Sequence, residues 1–485
     1  MMVLALLALG ASLPELIAPP AGESALGPTL TCAALQSLTG YDFTVATAAL
    51  VPAGPNVREH CRVTGQIPLE IRFVVNLPTA WTRRLYMTGN GGYAGDAVDA
   101  PARSGSWNLP INRGFLTAAS DTGHQASLEP GASFATNRQK LYDYAFRSQH
   151  LTFETARRLA TAYYGVPPTR SYFESCSNGG RQAMMLAQRF PQDFDGIIAG
   201  APALDFTGAI LRFTCNGQAL AAAPIPYAKV ALLSDRIYAL CDATDGLKDG
   251  VIDDPRRCDF RPSRDLPKCA EGADKPDCFT AGQIAALEKI YGDIMSQGKR
   301  LVRGWPVGGE VADAKGRRGW KDWIIRDEGP SVGVQFAESF YRYMAFPEKN
   351  PDYKLSDYDF EKDPARLQWI HEVLDATNPD LSGLKARHGK LIMWFGWADE
   401  ALNALSGIDY YESVLARMGP STPDFFRLFM IPGTFHCGGG IGTSSFDMFT
   451  PLLQWVEQGI APDQIPATRK IDGTPVRTRS LRPYK

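Results

Sequence analysis

Short apolar runs alternate with amphipathic stretches along the first 205 residues of the chain. The runs have the length and composition of buried strands, whereas the amphipathic stretches repeat their apolar residues at helical spacing. The runs lie at 71–75, 83–88, 114–120, 171–176 and 194–202, and the helical stretches lie at 141–163 and 179–191. Pro191 ends the second helix. Strands that alternate with helices predict a mostly parallel sheet covered by helices on both faces.

The alternation fades after the fifth run and returns near the C-terminus. A strand is indicated at 390–400, followed by a helix near 408–418 and another strand. The intervening residues are rich in polar turns, cysteine, tryptophan and proline. At 485 residues, the chain is long enough for two or three domains, or for one domain with a large insertion. The pattern predicts an α/β domain at 30–205 and 386–485, interrupted by an inserted domain at 206–385.

Composition and charge narrow the range of partners. Hydrophobic residues make up 45% of the chain and charged residues 21%, which is usual for a globular protein with a packed core. Because the formal net charge is only −2, we expect neither a nucleic-acid partner nor a basic membrane-binding face. Beyond the N-terminus no apolar run reaches 18 residues, so we expect no membrane span.

The first residues, MMVLALLALGAS, form a short apolar run followed by small residues. This resembles the core of a secretory signal peptide, although no positive charge precedes the run. A buried N-terminal helix is the alternative interpretation. The nine cysteines favour export, because none forms a C-x-x-C pair and four of them cluster in a polar stretch at 241–278. We therefore predict a signal peptide within residues 1–20 and a secreted or periplasmic protein.

The stretch ESCSNGG, residues 174–180, places a serine at a sharp junction between a predicted strand and a predicted helix. In α/β-hydrolases the nucleophilic serine occupies such a turn, with small residues two positions before and after it. Ser177 fits this pattern, with Ser175 in place of the usual first glycine. A serine nucleophile needs a base, a group that orients the base, and hydrogen-bond donors for the oxyanion. Taken alone, the motif could also be a plain turn.

Six histidines compete for the role of base, at 60, 124, 150, 371, 388 and 436. The α/β-hydrolase order of serine, acid and histidine along the chain leaves the last three. His371 falls in the predicted insertion and His388 lies just before a strand, whereas His436 follows a strand directly. Asp399 follows the preceding strand and is the candidate acid. Its neighbour Glu400 is the alternative, and we expect Glu400 to be solvated.

Two cysteines lie beside the proposed nucleophile and base. Cys176 precedes Ser177, and Cys437 follows His436. If the serine and the histidine meet, their neighbouring cysteines are brought together as well, so we predict a disulfide between them. A disulfide that closes so long a loop stabilises the fold by about 5 kcal/mol in the chain-entropy account. The alternative is that both cysteines are buried small apolar residues.

With these motifs, the chain resembles the tannase and feruloyl esterase family, which includes hydrolases of mono(2-hydroxyethyl) terephthalate. The resemblance is carried by ESCSNGG, GWADEALN and FHCGGG, with further matches in GNGGYAG, SDTGH, YAFRSQH, FDGIIAGAP and CDATDGLKDGVID. These matches extend over about residues 30–450. The resemblance implies an α/β-hydrolase fold with a large inserted lid domain. It also implies a catalytic triad of Ser177, Asp399 and His436, and a disulfide between the two adjoining cysteines.

The oxyanion needs main-chain N–H groups as donors. Asn178, which follows the nucleophile, is one expected donor. The other should come from an early loop after a strand, and GNGGYAG at 89–95 fits because glycines let the backbone approach a substrate closely. The resemblance points to the same loop, and we predict Gly91 as the donor, with Gly92 next. A plain glycine turn is the alternative.

The segment CDATDGLKDGVID, residues 241–253, is rich in carboxylates but lacks the spacing of an EF-hand. From the residues alone, a solvated acidic turn fits equally well. The resemblance implies a structural Ca²⁺ ion, which would brace the insertion and do no chemistry. The implied ligands are the side chains of Asp242, Asp245 and Asp249 and the carbonyls of Leu247 and Val251. No organic cofactor is expected.

The resemblance also implies how the remaining cysteines pair, which spacing alone leaves open. The implied pairs are Cys241–Cys258 and Cys269–Cys278, and Cys32–Cys61 is then the fourth pair. This pairing leaves Cys215 without an intrachain partner.

The predicted insertion should act as a lid over the site. Most of its aromatic side chains should be ordinary core, and some should line an apolar acyl pocket over Ser177. The aromatic side chains considered are Trp305, Trp320, Trp323, Phe336, Phe340, Tyr341 and Tyr343. In the terephthalate-ester branch of the family a lid arginine binds the free carboxylate of the substrate. Arg326 and Arg342 are both candidates for that role.

Two further motifs carry polar residues that we interpret as structural. Asp121 and His124 in SDTGH are expected to make structural hydrogen bonds near the site, rather than to form a second catalytic pair. Arg147 and His150 in YAFRSQH are expected to make internal polar contacts from a helix.

These features predict a secreted or periplasmic serine esterase whose substrate is a small aromatic ester. The expected acyl group is hydroxycinnamic, gallic or a related aromatic acid, which rests on the resemblance. The alternatives are a serine peptidase on the same fold and a non-catalytic hydrolase-like binding protein. A lid too closed for peptides would argue against the first, and covalent labelling of Ser177 would exclude the second.

Overall fold

The computed structural model describes residue 18 and residues 23–98, 110–311 and 319–485. The predicted signal peptide, residues 1–20, lies outside the described residues except for Ala18. The chain divides into two compact units. The first contains the described residues up to Met87 and those of Asp96–Asp121 and Leu151–Tyr172. The second contains Thr88–Gly95, Thr122–His150 and the described residues of Phe173–Lys485.

The first unit is built around strands from the N-terminal part of the chain. They are β1 Thr44–Val51, β2 His60–Ile67, β3 Ile71–Pro78, β4 Arg84–Thr88 and β5 Leu116–Ser120. Their spatial order is β1-β2-β3-β5-β4. The first three and β5 pair antiparallel, and β4 runs parallel to β5. The strands predicted at 71–75, 83–88 and 114–120 are confirmed.

The apolar pattern missed β1 and β2, for different reasons. Most residues of β1 are exposed or half-buried, so the strand carries no apolar run. In β2 the buried Cys61, Val63 and Ile67 are separated by polar residues, so its apolar positions are not continuous. Half-buried antiparallel strands commonly show this alternation.

The second unit holds the remaining strands. They are β6 Arg170–Cys176, which begins in the first unit, β7 Gly196–Gly200, β8 Ile294–Ser296, β9 Lys299–Val302, β10 Lys390–Gly396, β11 Phe426–Ile431, β12 Ser445–Phe446, β13 Ile465–Ile471 and β14 Thr474–Leu481. β6, β7, β10 and β11 are neighbours in that order, and β10 is parallel to both β7 and β11. Since β7 and β10 are almost entirely buried, their sequences form continuous apolar runs.

The helices lie mostly in the second unit. They are α1 Arg138–Tyr142, α2 Ser148–Tyr164, α3 Asn178–Arg189, α4 Phe206–Ala222, α5 Val230–Cys241, α6 Pro262–Asp265, α7 Ala281–Tyr291, α8 Val332–Tyr343, α9 Gln368–Leu374, α10 Ser382–Ala386, α11 Ala404–Met418 and α12 Phe449–Gln458. A π-helical turn at Asp143–Arg147 joins α1 to α2, so the predicted helix at 141–163 is confirmed with a bulge.

Short 3₁₀ helices connect these elements. They lie at Cys32–Leu38, Ser133–Thr136, Tyr227–Lys229, Asp242–Asp245, Pro255–Arg257, Leu355–Asp357, Pro364–Leu367 and Thr422–Asp424. The predicted insertion, 206–385, spans α4 to α10 and the β8–β9 hairpin. Its bounds stay a prediction. None of the helices among the described residues is long and apolar enough to cross a membrane.

Two helices, α4 and α8, carry aromatic side chains toward the candidate site. Asp205 precedes α4, and its side chain accepts a hydrogen bond from the Gly208 N–H at 2.9 Å. Ser331 precedes α8 and accepts from the Val334 N–H at 3.4 Å. Such caps satisfy N–H groups that a helix start leaves without partners. A Cβ on Gly208 would overlap the Asp205 carboxylate, so the glycine leaves room for this cap.

Candidate active site

Ser177 lies on a strained turn between β6 and α3. Its backbone has φ 66° and ψ −128°, a conformation that residues other than glycine rarely adopt. A Cβ on Gly179 would overlap Ser175 Oγ, and a Cβ on Gly180 would overlap the Gly200 carbonyl. The small residues of ESCSNGG are therefore required by the tightness of the turn, which projects the serine away from the strand.

The structure brings together the serine, histidine and aspartate predicted from the sequence. His436 Nε2 lies 2.9 Å from Ser177 Oγ, and His436 Nδ1 lies 2.9 Å from Asp399 Oδ2. The other oxygen of Asp399 accepts the N–H groups of Ala401 and Leu402 at 2.9 and 2.8 Å. Because these bonds fix the carboxylate, Nδ1 carries the proton and Nε2 is left to accept the proton of Ser177.

Glu400 is buried, so the expectation that it would be solvated was wrong. It is 0% exposed, and its Oε2 accepts the main-chain N–H of His436 at 3.0 Å. The chain turns into the protein after β10, which buries Asp399 and Glu400 together. Burial and then the charge of Asp399 raise the pKa of Glu400 to about 7. Glu400 thus holds the backbone of the histidine while Asp399 holds its ring.

The predicted disulfide between Cys176 and Cys437 is confirmed. The two Cα atoms are 5.9 Å apart, and the bond links residues separated by 261 positions. It fixes the neighbours of Ser177 and His436 to each other, so the hydroxyl and the imidazole are held in reach. The other predicted pairs, Cys32–Cys61, Cys241–Cys258 and Cys269–Cys278, are disulfides as well, and Cys215 forms none.

The glycine-rich loop predicted to supply an oxyanion donor is held against the start of α3. The Asn90 N–H donates to Gln182 Oε1 at 2.9 Å, and Asn178 Nδ2 donates to the Asn90 carbonyl at 3.2 Å. The Tyr144 hydroxyl donates a hydrogen bond to the Gly92 carbonyl at 2.9 Å. A Cβ on Gly91 would meet no atom within 4 Å, so this side of the loop is open. The roles of Gly91 and Asn178 as oxyanion donors stay a prediction.

A cavity of about 340 Å³ opens over Ser177 and His436. Its walls are mainly apolar and aromatic side chains from α4, α8 and the loops near the triad. They are Gly92, Asn178, Ala203, Phe206, Ala209, Ile210, Phe213, Trp323, Phe336, Ala401, Leu402 and Cys437. The Trp323 ring stands edge-on to His436, with 6.1 Å between ring centres. The cavity has the size and polarity of a site for one small apolar group.

The predicted lid residues divide into cavity lining and core. Trp323 and Phe336 line the cavity, 5.8 Å apart between ring centres. The aromatic residues buried elsewhere are Trp305, Trp320, Phe340 and Tyr341. Neither candidate arginine lines the cavity. Arg342 pairs with Glu338 at 3.0 Å, and Arg326 is an exposed residue of a separate surface pocket.

Sequence reasoning missed Phe206 and Phe213, which line the cavity from α4. The signal was present, because Phe206, Ile210 and Phe213 follow the i, i+4, i+7 spacing of one helical face. It also missed Tyr144 and Gln182, which hold the glycine-rich loop at 89–95. The sequences of the two helical segments gave no indication of which groups these side chains would contact.

The motifs interpreted as structural behave as expected. Asp121 accepts the Arg72 N–H at 3.0 Å, within the first unit. His124 stacks on Phe134, with 3.8 Å between ring centres. His150 Nδ1 lies 2.8 Å from Asp193 Oδ2, and Arg147 pairs with Asp143. None of these residues lines the cavity over Ser177 in the part of the chain that the structure describes.

The acidic segment 241–253 directs its carboxylates mainly to its own backbone. Asp242 accepts the Gly250 N–H at 2.9 Å, and Asp249 accepts the Val251 N–H at 3.2 Å and pairs with Arg477 at 3.3 Å. No three acidic, histidine or cysteine side chains among the described residues lie close enough together to hold a metal. Within the same residues, one buried oxygen of Asp245 has no hydrogen-bond partner. Hard oxygen ligands suit Ca²⁺, and the calcium site stays a prediction.

The sequence matches one enzyme family over most of its length. A family model described as Tannase and feruloyl esterase matches residues 55–485. The chain is 32% identical to mono(2-hydroxyethyl) terephthalate hydrolase of Piscinibacter sakaiensis, over 90% of this chain and 82% of that protein. It is 31% identical to a probable feruloyl esterase of Arthroderma benhamiae, over 81% of this chain and 74% of that protein.

Solved structures share the fold. Feruloyl esterase B from Aspergillus oryzae matches with a TM-score of 0.81 and 24% identity, over 94% of this chain and 96% of that one. Tannin acyl hydrolase from Aspergillus niger matches with a TM-score of 0.73 and 21% identity, over 96% of this chain and 93% of that one. At these identities the likeness concerns the fold alone, and it confirms the predicted α/β-hydrolase class.

Proposed function

Because this chain belongs to the tannase and feruloyl esterase family, we propose that it hydrolyses esters of aromatic acids through a serine acyl-enzyme intermediate. One observation carries the proposal. Ser177, His436 and Asp399 form a hydrogen-bonded series, and its serine and histidine line an apolar cavity that also carries aromatic rings. The series supplies a nucleophile and its base, and the cavity supplies a site for the acyl group.

In the first half of the reaction, Ser177 Oγ attacks the ester carbonyl carbon while His436 Nε2 takes its proton. Asp399 stabilises the resulting imidazolium through Nδ1–H. The N–H groups of Asn178 and Gly91 donate to the oxyanion of the tetrahedral intermediate. His436 then gives its proton to the alcohol oxygen as the C–O bond breaks, which leaves the acyl group on Ser177.

In the second half, water replaces the alcohol. The oxygen of the water attacks the acyl carbon while His436 takes one of the water's protons. The same donors hold the second oxyanion. The bond to Ser177 Oγ then breaks, and His436 returns the proton to the serine. The products are the aromatic acid and the regenerated enzyme.

The acyl group is an aromatic acid without a second charge. The two relatives are named for esters of aromatic acids, terephthalic in one and ferulic in the other. Among the described residues that line the cavity, His436 is the one titratable side chain, and neither Arg326 nor Arg342 lines it. A second carboxylate would therefore meet no cation among the described residues of the cavity wall, which is unfavourable. Feruloyl and galloyl esters fit this cavity better than a terephthalate monoester.

The protein acts outside the reducing cytosol, as a secreted or periplasmic enzyme. Four disulfides support this location, because such bonds persist in oxidising compartments. The segment 241–253 binds a structural Ca²⁺ that supports the fold and takes no part in the ester chemistry. The buried Asp245 oxygen without a partner among the described residues is the observation in its favour.

A fluorophosphonate tests the nucleophile directly, because it forms a stable adduct only with an activated serine. Wild-type protein should gain one adduct, located at Ser177 by peptide mass spectrometry. Ser177→Ala should gain none, and Ser175→Ala, a matched change in the same turn, should still react. An adduct on another serine, or none on folded wild-type protein, would refute the proposed mechanism.

A further inference from the structure

Arg181 lies in the first turn of α3, and its side chain is 0% exposed. Its guanidinium donates to Asn178 Oδ1 at 2.8 Å and to the carbonyls of Ala145, Leu374 and Tyr144 at 2.9, 3.1 and 3.1 Å. All four acceptors are neutral. The side chain thus links the start of the nucleophile helix to the π-helical turn and to the end of α9.

The charge of Arg181 is buried as well. The guanidinium carbon lies 5.0 Å from the ring centre of Tyr144 and 5.8 Å from that of Phe206, which lines the cavity. Burial lowers the pKa of Arg181, while Tyr144 and Asp375 act in the opposite direction. An arginine keeps its proton even so. A buried cation whose hydrogen-bond acceptors are all neutral costs stability. Two contacts of Arg181, Phe206 and Asn178, also border the proposed oxyanion site.

Arg181 decides which way the Asn178 amide points. Arginine has no acceptor atom, so the amide must turn its oxygen toward Arg181. The same oxygen is 3.0 Å from the Tyr144 hydroxyl. The amide nitrogen is left to donate to the Asn90 carbonyl, as the 3.2 Å contact shows.

The Asn90 carbonyl and the Gly91 N–H belong to one planar peptide group. In a trans peptide these two groups point in opposite directions. Holding the carbonyl through Asn178 therefore fixes the direction of the Gly91 N–H. Glycine at 91 gives this peptide freedom to rotate, so the hold is needed.

We propose that Arg181 is the positioning residue of the oxyanion hole. Acting through the Asn178 side chain, it prevents the Asn90–Gly91 peptide from flipping and keeps the Gly91 N–H directed at the oxyanion of the Ser177 adduct. The inference rests on the proposed function.

Steady-state kinetics of Arg181→Met test it, because methionine keeps the length but has neither donors nor charge. We expect kcat to fall about 10- to 100-fold, somewhat less than for outright loss of an oxyanion donor. KM should stay within about threefold, since the contact forms in the transition state and not with bound substrate. A purely structural role would lower the melting temperature and leave kcat of the folded protein unchanged.

Arg189→Met is the matched control. Arg189 lies two turns further along α3 and donates to the Glu372 carbonyl at 2.6 Å, so it also links α3 to α9. It makes no hydrogen bond to Asn178. Because Arg189 is exposed, its loss should change the melting temperature little and leave kcat within about twofold of wild type.

Asn178→Ala carries the same test should Arg181→Met fail to fold. It keeps the main-chain N–H of Asn178 and removes only the amide that Arg181 orients. We expect a comparable loss of kcat and, where Arg181→Met folds, no further loss in the double variant, because both changes break one relay. Normal kcat in folded Asn178→Ala would overturn the proposal, as would losses that multiply in the double variant.

Binding of an aryl boronic acid separates this inference from the proposed function. Its adduct on Ser177 places an oxygen in the oxyanion hole, so its affinity should fall by the same factor as kcat. Affinity for the product acid should not change. Wild-type protein without esterase activity would refute the proposed function, whereas active wild type with unaffected Arg181 and Asn178 variants would refute the role of Arg181 alone.

Discussion

Glu400 shares its burial with the aspartate of the proposed triad, and two carboxylates cannot be charged side by side without cost. Its pKa is raised from 4.5 to about 7 by burial and then by Asp399. Between these values the unfolded chain releases the proton while the folded protein keeps it, so stability falls as pH rises. The protonated Glu400 carboxyl contributes its full share to the stability of the folded protein below pH 4.5, and this contribution is lost as the pH rises through about 7.

Glu400→Gln should therefore remove a pH dependence of stability. Glutamine keeps an oxygen for the His436 N–H but does not titrate. The melting temperature of the variant should rise relative to wild type from pH 4.5 to 7 and then level off. Over this range the free energy of unfolding of the variant should gain up to about 3 kcal/mol on that of wild type. Thermal unfolding across this range is the measurement, with the exposed Glu271→Gln as control. A difference that is constant with pH would contradict the assignment.

At the residue scale, the sequence was sufficient to predict the three side chains that the structure brings together in the candidate site. Ser177, Asp399 and His436 follow predicted strands in the α/β-hydrolase order, and the cysteines beside two of them predicted a disulfide. Their supports could not be predicted. Glu400 is buried because the chain turns inward after β10, and sequence periodicity does not record the direction of a loop.

At the element scale, the cavity depends on which faces of α4 and α8 meet. The apolar spacing of Phe206, Ile210 and Phe213 predicts one face of a helix, but the pattern does not say which helix opposes it. In the structure Phe336 of α8 lies 6.5 Å from Phe213 between ring centres. Tertiary packing thus decides which aromatic side chains line the cavity, and these include Phe206 and Phe213, which the sequence reasoning missed.

The acidic segment 241–253 gives a prediction about calcium. Adding Ca²⁺ to metal-free protein should raise the melting temperature by a few degrees, because an ion that binds only the folded state stabilises it. Mg²⁺ should do less, since it prefers smaller octahedral sites. Differential scanning calorimetry measures the shift. Asp245→Asn should abolish it, and Asp277→Asn, an exposed aspartate elsewhere in the predicted insertion, should preserve it. No shift in wild type would exclude the ion.

At the scale of the whole molecule, parallel strands explain why distant motifs meet. Ser177 follows β6, Asp399 follows β10 and His436 follows β11, and β10 and β11 are parallel neighbours. The carboxyl ends of parallel strands lie at the same edge of a sheet, so Asp399 and His436 converge, and the turn after β6 brings Ser177 within hydrogen-bond reach of His436. That convergence was predictable from the sequence. The antiparallel strands β1 and β2 were not, because their apolar residues form no continuous run.

The central claim is that Ser177 hydrolyses uncharged aromatic esters. Liquid chromatography of acid released from methyl ferulate, methyl gallate, mono(2-hydroxyethyl) terephthalate and ethyl butyrate tests it most directly, with Ser177→Ala as control. We predict release from ferulate or gallate at a kcat/KM at least about tenfold above the terephthalate monoester, and a loss of at least about 10³-fold in the variant. Preference for the charged monoester would contradict the neutral acyl site. Release from no ester, or equal release by Ser177→Ala, would contradict the claim itself.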